Sequence, residues 1–320
     1  MDSKRRRRAA YSYDLRFGRK PDGSAEAVRV QRGRTCSHTI EIKQNGYQEG
    51  ICPQQRTDAF FFLKKQVMQM TLKQFFAETP RAAVAFSGGT DSAFLLWAAK
   101  QYGCDIQAYF GKTAFQPAFE LADARRLVRE LNIPMTVIEA DVFSVAGAVA
   151  NGTDRCYHCK RALFTLLWQQ VRADGHTLLL DGTNASDDAG DRPGMRALRE
   201  LMVRSPLREC GLTKEDVRRQ SRAAGLFTWN KPAYACLATR VPIGTPITQA
   251  ALEKVERAED TMTRLGFTDF RVRLLENGAR IQVTNAQLSR VLEQRQAILD
   301  ALASDFKTIL LDLTPRQPSR

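Results

Sequence analysis

The chain has 320 residues, of which 43% are hydrophobic and 26% are charged, a composition typical of soluble globular proteins with a sizeable core. No apolar run approaches the roughly 18 residues needed to cross a membrane, and the basic start is not followed by the apolar stretch of a secretory signal. The seven cysteines are an odd number in a long chain, which argues against a disulfide framework and predicts a reducing compartment, the cytoplasm.

The net charge of +13 is unevenly distributed. Residues 1–70 hold 15 Lys and Arg against 7 Asp and Glu, a net +8, whereas the remaining residues hold 33 and 28, a net +5. One interpretation is an arm that binds nucleic acid. The other is a disordered basic leader, or a start codon assigned too early, because residues 1–60 show little periodicity and Met70 opens a natural beginning. We favour the second interpretation and predict no nucleic-acid partner.

From Thr71 onward, helix and strand patterns alternate. Helices are predicted in LKQFFAE, DSAFLLWAAKQYG, PAFELADARRLVRELNI, CKRALFTLLWQQVRADG and TKEDVRRQSRAAGL, and strands in AAVAF, DIQAYF, MTVIEAD and TLLLDGTN. This rhythm indicates crossover units and a parallel sheet. We therefore predict an α/β domain over residues 71–245.

The stretch VPIGTPIT, residues 241–248, is rich in proline and glycine and indicates a domain boundary. Beyond it a helix is predicted to end at Gly266, and two strands, FRVRLL and ARIQVT, follow. They are joined through Asn277-Gly278, which is a strong hairpin signal. A helix over 286–303 and the strand KTILLDL complete a second, smaller α+β domain, residues 246–320.

The stretch SGGTDS lies between the strand AAVAF and the next helix, where an open parallel sheet binds its ligands. Its two glycines let the backbone bend and a ligand come close. The free N–H groups of the helix and the hydroxyls of Ser87, Thr90 and Ser92 offer a site for an anion such as pyrophosphate. Asp91 would repel that anion unless a cation stood between them, so the sequence predicts Mg²⁺. A generic glycine turn with a helix cap is the structural alternative.

Cys156 and Cys159 form a C-x-x-C pair, and Cys236 follows far along the chain in KPAYACLATR. A structural zinc site usually has four ligands, and His158, which lies inside the pair, is poorly placed to be one of them. The pair could instead cap and pack the start of a helix. The third interpretation is sulfur chemistry, with Cys236 as donor or nucleophile and the pair nearby.

The SGGTDS loop resembles the SGGxDS loop of the PP-loop ATP pyrophosphatases. The segments GTNASDD, RPGMRAL, SPLRECGLTKEDVR, TWNKPAYACLATR, GTPIT and FRVR…ARIQV follow in the order of the LarE family, between about Thr71 and Leu313. This resemblance implies a parallel-sheet PP-loop domain, similar to the adenine nucleotide alpha hydrolases, with a smaller C-terminal α+β domain. It also implies a homo-oligomer, such as a hexamer.

The activity that the resemblance implies is ATP-dependent sacrificial sulfur transfer in the synthesis of a nickel-pincer nucleotide. The implied substrate is a small-molecule nucleotide, pyridinium-3,5-biscarboxylic acid mononucleotide, and ATP adenylates one of its carboxylates. Cys236 then forms a thioester, and cleavage of its Cβ–S bond leaves a thiocarboxylate on the substrate and dehydroalanine in the protein. A carboxylate needs a good leaving group before it becomes electrophilic, and a thiolate is the strongest side-chain nucleophile near neutral pH.

Carried over by motif, the resemblance implies roles for individual residues. Arg240 would stabilise the thiolate or hold a phosphate, with a surface ion pair as its alternative. Glu259 and Arg271 match substrate-side positions. Gln282 stands where the family usually has an acidic residue, and Arg316 is a doubtful match to a C-terminal arginine. The implied ATP-binding residues are Ser87, Gly88, Gly89, Thr90, Asp91, Ser92, Asn184, Asp188 and Arg192.

Cys156, Cys159 and Cys236 also resemble the C-x-x-C and distant cysteine of the iron–sulfur tRNA thiolases. Three cysteines can hold a [4Fe–4S] cluster and leave one iron open. Transfer of sulfur to tRNA is therefore a second functional hypothesis. A nucleotide-binding protein without catalysis is a third, and the intact SGGTDS loop and Cys236 argue against it.

Overall fold

The computed structural model describes residues 70–187 and 192–317, and three strands nearer the N-terminus. The chain divides into two compact units, Met1–Val67 and Met68–Arg320. In the first unit the sequence analysis predicts no strands, and the structure has an antiparallel sheet in the order β1-β2-β3. The rest of the predicted leader lies outside the described residues. The three strands are β1 (Asp14–Phe17), β2 (Glu26–Arg32) and β3 (Cys36–Ile42).

The second unit is built around a parallel sheet of four strands in the order β6-β5-β4-β7. This arrangement confirms the predicted α/β fold with crossover connections. The last strand is shorter than predicted, because the chain leaves the sheet after Leu180, where the Asp181 N–H pairs with the Arg204 carbonyl at 2.9 Å. The strands are β4 (Arg81–Ala85), β5 (Asp105–Lys112), β6 (Met135–Glu139) and β7 (Leu179–Leu180).

Helices cover both faces of this sheet, as its apolar strands require. Val84 and Phe110 face a core shared with Leu95 and Leu127, whereas Tyr109 faces the other core. The helices are α1 (Leu72–Ala77), α2 (Thr90–Gln101), α3 (Ala118–Leu131), α4 (Ala146–Val149), α5 (Arg155–Ala173), α6 (Pro193–Glu200), α7 (Pro206–Glu209) and α8 (Lys214–Ala223).

A second sheet of three strands, in the order β10-β9-β8, lies near the C-terminus. The strands β8 (Arg271–Leu275) and β9 (Gly278–Gln282) form the predicted hairpin, and β10 (Thr308–Leu311) pairs with β9 in parallel. Gly278 is required there, because a Cβ atom would lie 2.4 Å from the Thr308 carbonyl oxygen.

The helices of this region are α9 (Gln249–Arg264), α10 (Leu288–Glu293) and α11 (Arg295–Leu302). The single helix predicted over 286–303 is thus two helices that meet at Gln294, where φ is −96° and ψ is 14°. The Ile298 N–H still bonds to the Gln294 carbonyl at 3.1 Å. The departure is therefore a local kink in a nearly continuous chain of backbone hydrogen bonds.

Helix α9 contributes to two hydrophobic cores. Leu252 and Val255 pack with Phe115 and the segment before residue 242, whereas Met262 belongs to the core of the small sheet. The division into domains at residues 245 and 246 stays a prediction. In the part of the chain that the structure describes, no helix is long and apolar enough to cross a membrane.

Candidate active site

The loop after β4, residues 87–92, which we name the ATP loop, has the shape expected of an anion site. Gly88 adopts a φ of +74°, and a Cβ atom there would lie 2.9 Å from the Glu120 carbonyl oxygen. Gly89 caps α2 at its N-terminus. The Ser87 N–H donates to the Ser92 hydroxyl at 3.3 Å. The first N–H groups of a helix have no partner within it, so the start of α2 has the donors that an anion site needs.

Asp91, in the first turn of α2, is the predicted magnesium ligand. Its Oδ2 accepts a hydrogen bond from Lys214 Nζ at 2.6 Å, and its Oδ1 is buried with no hydrogen-bond partner among the residues that the structure describes. An orphaned carboxylate oxygen beside an anion site is a suitable ligand for Mg²⁺, which takes one or two carboxylates together with phosphate oxygens. The residues present therefore fit the predicted ion.

The loop after β7 lies directly against the ATP loop. A Cβ atom on Gly182 would lie 2.7 Å from the Ser92 nitrogen, so glycine is needed for this approach. Asn184 is buried and shapes its own turn, because its Oδ1 accepts from the Ser186 N–H at 2.8 Å. Ser186 in turn accepts from the Lys214 N–H at 2.9 Å. The loop thus places Lys214 opposite Asp91.

The sequence analysis also assigns two other residues, Asp188 and Arg192, to the ATP site. Asp188 lies outside the described residues. Arg192 is exposed and caps the N-terminus of α6. Their roles at the ATP site stay predictions.

The segment 228–231 joins the ATP loop to the region of Cys236. The Thr90 hydroxyl donates to the Thr228 carbonyl at 2.8 Å. Lys231 Nζ donates to the Gly88 carbonyl at 3.2 Å and to Asp123 Oδ2 at 2.6 Å. Residues that lead directly to Cys236 are therefore bound to the predicted nucleotide loop.

Cys236 lies in residues 233–240, which we name the cysteine loop. Its side chain is partly buried at the start of a single helical turn, Leu237–Arg240. The Leu237 N–H donates to the Phe115 carbonyl at 2.8 Å, and Arg155 Nη1 donates to the Ala238 carbonyl at 3.1 Å. Burial raises the pKa of the Cys236 thiol above its ordinary value, and nearby Arg155 opposes that change.

Arg240 and Glu259 form a buried ion pair that fixes the cysteine loop. Arg240 Nε and Nη2 donate to the two carboxylate oxygens of Glu259, each at 2.9 Å. Arg240 Nη1 donates to the carbonyls of Ala235 at 2.6 Å and Cys236 at 3.2 Å. Tyr234 donates to Glu259 as well. The pair is buried, unlike the surface ion pair considered as an alternative, and Arg240 points its donors at the loop backbone.

Arginines of the small sheet lie beside this pair. Arg271 Nη2 donates to the Ala233 carbonyl at 2.7 Å, and Arg273 Nη1 donates to the Thr239 carbonyl at 2.7 Å. Burial lowers the pKa of Arg271 to about 10, and nearby Arg240 adds to the effect. A guanidinium with so high a pKa keeps its charge near neutrality, so the strand β8 brings positive charge to the cysteine loop.

Gln282 and Arg316, at two positions that depart from the family pattern, each donate a hydrogen bond to an acidic side chain. Gln282 accepts from Arg273 Nε at 2.5 Å and donates to Asp312 Oδ2 at 2.7 Å. Position 282 therefore lacks the acidic side chain that the family usually has there, but the carboxylate of Asp312 is hydrogen-bonded to Gln282. Arg316 Nη2 donates to Asp269 Oδ1 at 2.7 Å.

The three cysteines named as possible cluster ligands lie in one neighbourhood. Burial raises the pKa of Cys159 to about 12, and the electrostatic influence of Cys236 and Cys156 acts in the same direction. Within residues 70–187 and 192–317, however, no group of three or more His, Cys, Asp or Glu side chains is arranged to hold a metal ion.

The sequence analysis missed several residues that the structure brings to the site. Lys214 and Lys231 contact the ATP loop, and Tyr234 contacts Glu259. Burial raises the pKa of Glu120 to about 7, with Lys231 opposing the shift. Lys214, Lys231 and Tyr234 all lie in segments quoted for the family resemblance, SPLRECGLTKEDVR and TWNKPAYACLATR, and that was the available signal.

Comparison with known proteins places this geometry in context. No protein-family model matches the chain. An uncharacterised protein of Synechocystis is 36% identical over 69% of this chain and 83% of its own length. The pyridinium-3,5-bisthiocarboxylic acid mononucleotide synthase of Lactiplantibacillus plantarum is 31% identical over 78% of this chain and 90% of its own length. The tRNA-cytidine(32) 2-sulfurtransferase of Bdellovibrio bacteriovorus is 26% identical over only 39% of this chain.

A parallel sheet with an SGGTDS loop at its strand ends defines a PP-loop enzyme, and the characterised relatives are sulfur-transferring members of that class. Within the class, the chain belongs to the LarE family of sulfurtransferases, the family of pyridinium-3,5-bisthiocarboxylic acid mononucleotide synthase. The resemblance identified from the sequence is thereby confirmed.

Proposed function

We propose that the chain uses ATP to convert a carboxylate of pyridinium-3,5-biscarboxylic acid mononucleotide to a thiocarboxylate, with Cys236 as the sulfur donor. The family supports the substrate class, since the Lactiplantibacillus relative is a pyridinium-3,5-bisthiocarboxylic acid mononucleotide synthase. The observation that carries the proposal is the docking of residues 228–231, which lead to Cys236, on the ATP loop through Thr90 and Gly88.

In the first step a substrate carboxylate oxygen attacks the α-phosphorus of ATP, the bond from that phosphorus to pyrophosphate breaks, and an acyl adenylate forms. The N–H groups at the start of α2 and the hydroxyls of Ser87 and Ser92 bind the pyrophosphate part. Asp91 Oδ1 would hold Mg²⁺, which when bound neutralises charge on the phosphates. Lys214, held on Asp91 Oδ2, adds a second positive charge at the same place.

In the second step the Cys236 sulfur attacks the acyl carbon, the thiol proton is lost, the bond from that carbon to AMP breaks, and a thioester forms. Removal of the Cys236 Cα proton then lets the Cβ–S bond break. The C–H electron pair becomes the double bond of dehydroalanine, and the sulfur leaves with the acyl group as a thiocarboxylate. Arg240 and Glu259 keep the backbone of the cysteine loop in place during this sequence.

The decisive experiment is a pair of measurements on Cys236→Ala. This variant should release pyrophosphate in the presence of substrate and ATP but form no thiocarboxylate, because adenylation does not need the thiol. Intact-protein mass spectrometry of the unaltered chain after turnover should show loss of one H₂S per transfer. Cys104→Ala, which removes a buried cysteine elsewhere, is the matched control and should keep both activities. Thiocarboxylate made by Cys236→Ala without another sulfur source would refute the proposal.

A sulfurtransferase that depends on a [4Fe–4S] cluster is the second candidate, and the proximity of Cys156, Cys159 and Cys236 favours it. Protein purified without oxygen should be analysed for iron and labile sulfide. About four irons per chain, lost in Cys156→Ala, would establish the cluster. Active protein free of iron would establish the cysteine donor. Transfer to tRNA has less support, because the tRNA-modifying relative matches a smaller part of the chain.

The family resemblance also leads us to propose a homo-oligomer, such as a hexamer, in the cytoplasm. Light scattering of the purified chain tests the oligomeric state, and fractionation of cells tests the location.

A further inference from the structure

An aromatic pair spans the space between the ATP loop and the cysteine loop. Phe119, in the first turn of α3, and Tyr234 have ring centroids 5.1 Å apart with the rings perpendicular. Lys231 Nζ, which bonds to the Gly88 carbonyl, lies 5.3 Å from the Phe119 ring centroid. On the other side, the Arg240 guanidinium carbon lies 4.5 Å from the Tyr234 ring centroid. A continuous line of contacts therefore runs from Gly88 to the cysteine loop.

Phe119 occupies the middle of this line, yet 38% of it is exposed. By contrast Phe115, four residues earlier and outside helix α3, is 2% exposed and belongs to a hydrophobic core. A phenyl ring that is left open between two reactive loops offers an apolar, electron-rich face to whatever lies between them. A lone exposed aromatic needs no explanation in general, but this one lies between Lys231, which bonds to the ATP loop, and Tyr234 of the cysteine loop.

The charges around this ring suit a particular ligand chemistry. Lys231 approaches Phe119, while Arg240 and Arg271 lie within 4.5 and 5.1 Å of the Tyr234 ring centroid. Arg240 and Lys231 are paired with Glu259 and Asp123, whereas Arg271 bonds to neutral carbonyls. Arg271 therefore leaves an excess of positive charge here, which favours the carboxylates and the phosphate at the edge of a pyridinium mononucleotide. The pyridinium ring itself is flat and positively charged, and an aromatic face attracts such a ring. The site thus combines cations for the periphery of the ligand with an aromatic face for its centre.

We propose that Phe119 is a specificity-determining residue that stacks on the planar, cationic ring of the substrate and holds it between the ATP loop and Cys236. This inference rests on the proposed function for the identity of the substrate. The contact lies on the ring, so it selects for an aromatic cation independently of the carboxylates and the phosphate. Tyr234 supports Phe119 from the edge and is itself fixed by Glu259.

The first test compares Phe119→Leu with Phe119→Tyr. Phe119→Leu should weaken binding of a pyridinium mononucleotide, such as nicotinic acid mononucleotide, about tenfold, because the aromatic face is lost. The binding of ribose 5-phosphate, which has no ring, should stay unchanged. Phe119→Tyr keeps the ring and should restore the affinity. Tyr102→Leu, a change at an equally exposed aromatic at the end of α2, is the matched control and should bind both probes normally.

The second test reports contact directly. In Phe119→Trp, titration with nicotinic acid mononucleotide should quench the added tryptophan fluorescence with saturation, since a stacked pyridinium accepts an electron from the excited indole. Unchanged affinity in Phe119→Leu, or absence of added quenching in Phe119→Trp, would overturn the inference. Both tests measure binding alone. Failure of the proposed function would appear separately, as absence of ATP-dependent thiocarboxylate formation by the unaltered chain.

Discussion

The ATP loop and the cysteine loop are held by different kinds of interaction. The ATP loop takes its turn from its own residues, through the left-handed φ of Gly88, the cap at Gly89 and the hydrogen bonds between Ser87 and Ser92. Distant residues contact this turn, since Lys231 bonds to Gly88 and Thr90 bonds to Thr228, but no buried ion pair holds it among the residues that the structure describes. The cysteine loop is shaped by distant residues. For example, Arg155 and Ala238 are 83 positions apart, and Arg271 and Ala233 are 38 apart.

This difference has a consequence for substitutions. A loop that is shaped locally should tolerate the loss of one functional side chain without losing stability. A loop fixed by buried charges from other elements should lose both its shape and its stability when one partner is removed. The following changes test that contrast.

The largest effect is expected from Glu259→Gln. Its side chain is 5% exposed and that of Arg240 is 0% exposed, so the substitution leaves a buried charge without its partner. The free energy of unfolding should fall by about 3–5 kcal/mol, as measured by urea denaturation. Glu130→Gln, in the exposed pair with Arg126, should change it by less than about 1 kcal/mol. Equal effects of the two substitutions would contradict the buried-pair interpretation.

Asp91→Asn should lower the rate of pyrophosphate release without changing the stability of the protein. The amide keeps the shape of the side chain, but it removes the charge that the predicted Mg²⁺ and Lys214 share. We expect the rate of pyrophosphate release to fall about 100-fold or more, with an unfolding midpoint close to that of the unaltered chain. Asp105→Asn, at a surface ion pair with Arg81, is the control. Normal pyrophosphate release by Asp91→Asn would mean that the magnesium assignment is wrong.

A smaller effect, dependent on pH, is expected at Glu120, which lies between the two loops. Burial raises its pKa from an ordinary 4.5 to about 7. The folded state therefore binds a proton that the unfolded state releases, and this contribution to stability is present at low pH and lost as pH rises from about 4.5 to about 7. Glu120→Gln should thus melt at a higher temperature than the unaltered chain above pH 7 and at a similar temperature near pH 4.5. If the melting temperatures of the two chains change in parallel across that range, the pKa of Glu120 is not raised by folding.

The smallest effect is expected from deletion of residues 1–67. Both loops lie in the compact unit Met68–Arg320, which has its own hydrophobic cores. The shortened chain should keep its melting temperature and its rate of sulfur transfer. A marked loss of either would show that the basic N-terminal segment supports one of the two loops and is more than a leader.

The sequence by itself determined the fold class and the ATP loop. Both follow from short-range patterns: the alternation of apolar strands and amphipathic helices, and the strand-turn-helix of SGGTDS. The hairpin at Asn277-Gly278 was predictable for the same reason, because its turn chemistry lies in adjacent residues. The importance of Cys236 was readable from the motif around it, since the whole segment matches one family.

Only the tertiary structure decided what surrounds that cysteine. The pairing of Arg240 with Glu259, the approach of Lys231 to Gly88 and the position of Phe119 beside Tyr234 join elements that are far apart in the chain. Such contacts depend on how helices and strands pack against one another, and neither propensity nor periodicity encodes that packing residue by residue. The sequence therefore predicted the reacting groups, whereas the packing of α3, α9 and β8 against the cysteine loop determined which side chains surround that loop.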